Sequence, residues 1–195
     1  MTATSTLLRP GRLEDAAVLA VLVNEAGEGL PLYLWGKLAT AGETAWDVGR
    51  RRAARESGSF SWRNATMAEL EGRAAGCLIG YEIAAQPDPV PSDMPAMFVP
   101  LQELENLAPG TWYVNVLAVL PEHRNRGLGA ALLRRADETG LRCGKRGMSV
   151  IVSDANLGAR RLYERLGYRE IARRAMVKEG WVNPGRQWVL LTKDL

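Results

Sequence analysis

The sequence has little of what metal sites and disulfide frameworks need. Its 195 residues include two cysteines, Cys77 and Cys143, and one histidine, His123. Two cysteines far apart, without a Cys-x-x-Cys spacing, predict buried free thiols in a reducing cytoplasm. One histidine does not supply the His/Cys clusters that bind zinc, so we expect no metal.

Long apolar runs and a basic leader are also missing. No apolar stretch approaches the roughly 20 residues of a membrane-spanning helix. The beginning, MTATSTLLRPGRLEDAA, has no basic segment followed by an apolar one, so it predicts no signal peptide. We therefore expect a cytoplasmic protein with no membrane partner. Hydrophobic residues are 47% of the chain and charged residues 24%, as in an ordinary globular domain.

The positive charge is small and concentrated in arginine runs. The formal net charge is +3, and arginines are adjacent at 50–52, 134–135, 160–161 and 173–174. Such runs on amphipathic helices usually form a solvated face. The alternative is an anionic ligand, either a phosphorylated cofactor or a nucleic acid. No aromatic residues interleave with the basic ones, so nucleic acid is not favoured as a partner.

The N-terminal half of the chain predicts helices between strands. Residues 5–9 and the two segments around a turn at Glu71-Gly72 have strand composition, and three segments have helical spacing. The predicted strands are 5–9, 60–70 and 73–83, and the predicted helices are 13–26, 30–40 and 43–56. Residues 86–96 contain four prolines and predict irregular structure, followed by a helix over 101–107. Whether the excursion over 86–110 is a lid stays open.

The C-terminal half alternates between buried strands and amphipathic helices. The predicted elements are a strand over 112–120, a helix from 128, a strand over 148–152, a helix over 158–166, and strands over 169–177 and 187–192. No repeat or linker interrupts this order. We expect one mixed α/β domain over 1–195, with parts 5–110, 111–168 and 169–195.

The segment PEHRNRGLGAALLRR, residues 121–135, joins a strand to a helix through glycines and arginines. The first N–H groups of a helix have no intrahelical acceptor, and the helix dipole places partial positive charge there. Gly127 and Gly129 let an anion approach the backbone, while Arg124 and Arg126 add charge. The pattern predicts a cradle for phosphate or pyrophosphate.

Two other interpretations of this segment stay open on these residues alone. One is a glycine-assisted turn without a ligand. The other is a dinucleotide-binding turn, because Gly127-x-Gly129 matches half of the G-x-G-x-x-G fingerprint and Asp154 could serve as the ribose-binding acid. Against it, Leu132 occupies the third glycine position and six residues separate the strand from Gly127.

Two motifs resemble the GCN5-related N-acetyltransferase (GNAT) superfamily. Arg124-x-x-Gly127-x-Gly129, after VNVLAVLPEH and before AALL, resembles its R/Q-x-x-G-x-G/A motif. NLGARRLYERLGY, residues 156–168, resembles the later N-x-x-A-x-x-L-Y-x-x-x-G-F/Y segment. The resemblance implies an acyl-CoA N-acyltransferase-like fold, with a central, mixed and mostly antiparallel sheet flanked by helices. It also implies transfer of acetyl from acetyl-CoA, the co-substrate, to a primary amine in a ternary complex.

The resemblance also implies roles for single residues. Backbone groups of Leu117, Ala118 and Val119 are expected to bind the pantetheine arm and the thioester. The pyrophosphate contacts are expected from Arg124, Asn125, Arg126, Gly127, Leu128, Gly129 and Ala130. Asn156 is expected to contact the cofactor arm, with helix N-cap as its structural role. Tyr163 is expected to protonate the departing CoA thiolate, with core aromatic as its structural role.

The residue that takes the proton from the amine is not apparent. The position five before Asn156, a glutamate in relatives that acetylate protein N-termini, is Ile151, and the central strand offers Asn115. Glu25, Glu28 and Glu82 are candidates, and a water held by Asn115 is an alternative. Without a base, the chain fits a non-catalytic acyl-CoA-binding or regulatory module.

The acceptor is predicted only by class, as a small-molecule amine or an amine of a peptide or protein. Aromatic residues of segments expected on the acceptor side, Trp35, Trp46 and Trp181, would suit a cationic, partly apolar amine. Their alternative role is packing in the core. Association into a homodimer is left open by the sequence.

Overall fold

The computed structural model describes residues 6–195, which form seven strands and six α-helices. The strands are β1 (Thr6–Pro10), β2 (Ala65–Leu70), β3 (Arg73–Glu82), β4 (Trp112–Val119), β5 (Gly147–Ser153), β6 (Arg169–Ala175) and β7 (Gln187–Asp194). The helices are α1 (Ala16–Ala26), α2 (Leu30–Leu38), α3 (Ala45–Ala53), α4 (Val99–Glu105), α5 (Leu128–Arg142) and α6 (Leu157–Arg165).

The predicted elements are present, and the differences lie at their ends. Ser5, the first residue of the predicted strand, lies outside the described residues. The expected strand over 60–70 begins at Ala65, since Trp62–Asn64 form a 3₁₀ turn. The first predicted helix begins with a 3₁₀ turn, Leu13–Asp15, because Asp15 accepts hydrogen bonds from the backbone of Arg12 and from the Arg9 guanidinium. A third 3₁₀ turn, Pro121–His123, follows β4.

The sheet is mixed and mostly antiparallel, in the order β1-β2-β3-β4-β5-β7-β6. The pairs β1–β2, β2–β3, β5–β7 and β6–β7 are antiparallel. The pair β4–β5 is parallel, and its register includes Trp112–Val114 opposite Met148–Val150. The predicted fold class, a mixed sheet flanked by helices, is confirmed.

The chain contains two compact units, and the first includes the described residues up to Gly80 together with Val116–Arg134. Its core forms between α1, α2, α3 and strands β2 and β3. Trp35 is 3% exposed and packs against the rings of Trp46 and Phe60. Within this unit β3 closely approaches the end of β4, since a Cβ on Gly76 would lie 2.7 Å from the Ala118 carbonyl oxygen.

The second unit comprises Tyr81–Asn115 and Arg135–Leu195. Helix α4 packs against β5, β6 and β7, with Leu104 buried beside Leu190. Trp181 is 5% exposed and stacks on Trp188. Trp35, Trp46 and Trp181 therefore all take part in ring packing within their own units, which is the structural role considered for them.

Most arginines in these runs form ion pairs with acidic side chains. Six of the nine form ion pairs: Arg50 with Asp47, Arg51 with Glu43, Arg135 with Glu138, Arg160 with Glu164 and Glu170, Arg173 with Glu170, and Arg174 with Glu103. A basic surface that is paired in this way has less free charge for phosphates. The contacts favour the interpretation as solvated faces.

Neither a membrane span nor a metal cluster occurs in the described part of the chain. Over 6–195 no helix combines the length and the apolar character needed to cross a bilayer. Nor do the same residues contain a group of three His, Cys, Asp or Glu side chains placed to hold a metal ion.

The two cysteines differ, which corrects the expectation that both are buried. Cys77 on β3 is buried, whereas Cys143, just after α5, is exposed. Cys143 follows the last helical residue, where the chain turns at Gly144 and the amphipathic pattern no longer predicts burial.

This difference predicts one reactive thiol in the native protein. Burial raises the pKa of Cys77 to about 12, so about 10⁻⁴ of it is thiolate at pH 8. We expect Ellman's reagent to titrate one thiol per native chain and two in guanidinium chloride, and none in native Cys143→Ser. Rapid titration of two thiols in the native wild type would contradict the burial of Cys77.

Candidate functional site

The loop between β4 and α5 has the backbone of an anion-binding turn. Asn125 and Gly127 have left-handed backbone angles, with φ of 62° and 81°. Turns of this kind present backbone N–H groups in a concavity that suits anions. Asparagine and glycine are the residues that adopt this region with least strain, which explains their positions in the segment.

Helix α5 adds its free N–H groups to this loop. The Ala131 N–H donates to the Gly127 carbonyl oxygen at 3.0 Å, which is the first bond of the helix. The N–H groups of Leu128, Gly129 and Ala130 precede that bond and have no intrahelical acceptor. A Cβ on Gly127 would meet nothing within 4 Å, so the backbone there faces open space. Loop and helix together form an anion cradle, which we define as Asn125–Ala130.

Arg124, next to the cradle, forms two hydrogen bonds through its guanidinium group. Its Nε donates to the Val119 carbonyl oxygen at 3.1 Å, and its Nη2 donates to the Glu25 carboxylate at 2.9 Å. Arg124 therefore links the end of β4 to the end of α1, and its charge is balanced by Glu25. Cofactor contact by Arg124 and proton acceptance by Glu25 stay predictions, and each would require this ion pair to open.

The end of β4 precedes the cradle and carries the three residues expected to bind the pantetheine arm. Leu117, Ala118 and Val119 are the last three residues of β4. Asn115 is exposed between the buried residues Val114 and Val116. An exposed amide in the middle of a central strand is unusual, because such strands are apolar on both faces when covered.

Helix α6, in the second unit, carries the other two predicted site residues. The Asn156 side chain accepts from the Ala159 N–H at 3.1 Å, so its role as N-cap is confirmed. Tyr163 is 5% exposed, and its ring packs 5.6 Å from that of Tyr168. Burial raises the pKa of Tyr163 well above its ordinary value, so the phenol is protonated at neutral pH. The cradle and the end of β4 belong to the first unit.

The predicted base candidates differ in their surroundings. Glu82 forms an ion pair with Lys145 at 2.8 Å, and this partner lowers the pKa of Glu82. A carboxylate stabilised in that way is a weaker proton acceptor. Glu28 lies between α1 and α2 with a left-handed φ of 52°.

One acidic residue that the sequence analysis did not select lies in a different environment. Glu105, the last residue of α4, accepts a hydrogen bond of 3.3 Å from the Tyr81 hydroxyl. Burial is the main cause that raises the pKa of this carboxyl above its ordinary value. The only signal in the sequence is a carboxylate in a short predicted helix within the excursion over 86–110.

Comparison with known proteins gives a family match and several structural likenesses. Residues 35–168 match the acetyltransferase (GNAT) family. A mosquito arylalkylamine N-acetyltransferase like 5b superposes with a TM-score of 0.67 at 19% identity, covering 98% of this chain and 100% of that one. Another acetyltransferase superposes with a TM-score of 0.66 at 22% identity, covering 96% of this chain and 98% of that one. An N-acetyltransferase from Staphylococcus aureus Mu50 has a TM-score of 0.64 at 17% identity, covering 95% of this chain and 99% of that one.

At these identities the structural likeness shows the fold, and no curated protein matches the sequence. The family match carries the stronger statement. It extends over more than half of the chain and includes both the Arg124–Gly129 motif and the helix that bears Tyr163. The chain belongs to the acetyltransferase (GNAT) family.

Proposed function

We propose that the protein transfers an acetyl group from acetyl-CoA to a primary amine, by direct attack in a ternary complex. The observation that carries the proposal is the anion cradle. Its exposed loop, two left-handed residues and three helix N–H groups suit the pyrophosphate of CoA. The family match begins in one unit and ends in the other, which supports the proposal of one acetyltransferase domain over 1–195.

Different residues would bind different parts of acetyl-CoA. Gly127 lets the pyrophosphate approach the backbone, since no side chain occupies the space beyond it. Leu128, Gly129 and Ala130 would donate N–H groups, and Arg126 would add charge. Backbone groups of Leu117–Val119 would hold the pantetheine arm and the thioester, and Asn156 would contact that arm while capping α6.

The chemistry requires one proton acceptor and one proton donor. Bound acetyl-CoA supplies an acyl carbon activated as a thioester. The amine, after losing one proton to a base, attacks this carbon; a C–N bond forms and the C–S bond breaks, with the electron pair leaving on sulfur. Tyr163 donates its phenolic proton to that thiolate and recovers a proton from the nitrogen. The products are an N-acetyl amine and CoA, with one proton released by the base.

The acceptor is proposed as a small-molecule amine or a peptide or protein amine. Burial of Trp35 in the core removes it from the residues that suit a cationic amine, whereas Trp46 is half-buried and packs against it. Residence in the cytoplasm stays a prediction, as does the lack of a metal or nucleic-acid partner, and homodimer formation stays open.

Thiol release tests this proposal against the non-catalytic module. We expect acetyl-CoA to be consumed at least tenfold faster with one member of an amine panel than without amine. The panel would contain 2-phenylethylamine, spermidine and a lysine-containing peptide with a free N-terminus, and mass spectrometry would identify the acetylated product. Cys143→Ser protein would remove the background of the exposed thiol. Calorimetric binding of CoA without turnover on any amine would favour the binding module instead.

A further inference from the structure

We propose that Glu105 accepts the proton that the amine must lose, and that Tyr81 positions its carboxylate. This inference rests on the acetyl transfer proposed above and supplies the base that its motifs lack. All the residues that carry it belong to the second unit of the chain.

Glu105 lies on the wall of a pocket. The pocket has a volume of about 150 Å³ and is lined by residues from the end of β3, the loop after it and the end of α4. Tyr81, Glu82, Asp88, Glu105 and Asn106 are among the lining residues. The carboxylate is therefore accessible from a cavity large enough for part of an amine, although its helix packs against the sheet.

Tyr81 connects Glu105 to the central strand. Its hydroxyl donates to the Glu105 carboxylate, and its ring lies 5.2 Å from that of Tyr113 on β4. At 3.3 Å the hydrogen bond is long, as catalytic hydrogen bonds often are before substrate binds. The contact sets the position of the carboxylate, and we assign its second oxygen to the substrate.

The proposed base influences a buried residue of the central strand. Burial is the main cause that raises the pKa of the Tyr113 phenol well above its ordinary value, and the Glu105 carboxylate is the next. Together with the ring contact between Tyr81 and Tyr113, this links Glu105 to β4, the strand that ends at Leu117–Val119.

The electrostatics of the pocket favour a base. Burial and the charge of Asp88 raise the pKa of Glu105, whereas the hydrogen bond from Tyr81 lowers it. A carboxylate with a raised pKa holds a proton more strongly and accepts it more readily from an ammonium. Glu82 lines the same pocket but is engaged with Lys145.

The charged side chains on the strands that pack against α4 either form ion pairs or lie at the ends of their strands. Helix α4 contacts β5, which has no titratable side chain, and β6 and β7. On the latter two strands, Arg174 pairs with Glu103, Arg173 with Glu170, and Lys193 with Asp137. Arg169 and Asp194 lie at the strand ends opposite Thr192 and Gly147. The titratable groups that act on Glu105 are Tyr81, which donates a hydrogen bond to it, and Asp88, whose charge raises its pKa, while Glu82 lines the same pocket.

Glu105→Gln tests the proposal, because the amide keeps the size and the acceptor oxygen for Tyr81 but cannot take a proton. We expect kcat/KM near neutral pH to fall about 10²-fold with the panel amine that wild type acetylates fastest. Because a base must be ionised, wild-type activity falls as pH drops through the Glu105 pKa, and this acidic limb should vanish in Glu105→Gln. CoA affinity should be unchanged.

Two further variants separate catalysis from structure. Glu103→Gln changes a carboxylate on the same helix that pairs with Arg174, and it should keep the wild-type rate and pH profile. Tyr81→Phe removes the hydrogen bond that lowers the pKa of Glu105, so the acidic limb should move to higher pH. A role limited to packing α4 would lower activity without moving that limb.

The outcomes distinguish this inference from the function on which it rests. A wild type without turnover on the whole panel would overturn both. A wild type with turnover, and a Glu105→Gln variant with the same profile as Glu103→Gln, would overturn the role of Glu105 alone. If Glu105→Gln does not fold, the pH profile of Tyr81→Phe decides the question. An acidic limb that moves to higher pH supports Glu105 as the base, and an acidic limb that does not move contradicts it.

Discussion

Gly127→Asp is expected to weaken CoA binding by at least about 10³-fold, which is about 4 kcal/mol of binding free energy. Two effects combine. Any side chain at this position would project into open space next to the first turn of α5. A carboxylate adds repulsion against the pyrophosphate, and like charges in contact cost several kcal/mol. Isothermal titration calorimetry with CoA measures the change.

Two control variants separate charge from backbone effects. Gly127→Asn introduces a side chain of the same size without charge, and asparagine tolerates the φ of 81° about as well as aspartate. We expect it to retain more affinity than Gly127→Asp. Gly42→Asp places the same residue at a glycine with a φ of 86° and open surroundings between α2 and α3. It should bind CoA like the wild type.

The CoA affinities of these variants also show whether the cradle holds the pyrophosphate. If Gly127→Asp bound CoA with wild-type affinity, Asn125–Ala130 would not hold the pyrophosphate. If Gly42→Asp lost as much affinity as Gly127→Asp, the loss would come from damage to the fold. Circular dichroism and thermal unfolding of the three variants show whether each remains folded.

The cradle was predictable from sequence because its conformation is local. The left-handed angles of Asn125 and Gly127 depend on residue types that adopt them readily. The first turn of α5 exposes its N–H groups whatever surrounds it. The N-cap role of Asn156 and the C-terminal turn at Gly167, with φ of 92°, are local in the same sense. Such features depend on a few neighbouring residues.

The role of Glu105 was not predictable, because it depends on packing between distant segments. Glu103 and Glu105 are two positions apart on α4, so they point in roughly opposite directions around the helix axis. The sequence does not show which of them faces the sheet. In the structure Glu103 pairs with Arg174, while Glu105 meets Tyr81 beside the pocket.

Arg124, a residue of the motif, also has a partner that the sequence does not predict. Its spacing to Gly127 and Gly129 predicts charge beside the anion. The structure pairs that charge with Glu25, which is 99 positions away in the chain. A motif therefore predicts a local backbone conformation better than it predicts the partners of long, flexible side chains.

Tyr163→Phe is expected to lower kcat about 10³-fold while leaving CoA affinity within about twofold. The substitution removes the only group proposed to protonate the thiolate and keeps the ring that packs against Tyr168. Because burial raises the pKa of Tyr163 above 10.0, its deprotonation should not reduce the wild-type rate at any pH below 10. Steady-state rates with saturating acetyl-CoA and calorimetry with CoA measure the two quantities.

Tyr168→Phe provides the matched control. Tyr168 is 2% exposed, and its hydroxyl has no hydrogen-bond partner among residues 6–195. Removing a buried, unsatisfied hydroxyl is neutral or stabilising, so this variant should keep both turnover and stability. If Tyr163→Phe kept wild-type turnover, Tyr163 would not be the acid. If both variants lost turnover equally, the packing of the two rings, and not the Tyr163 proton, would account for the loss.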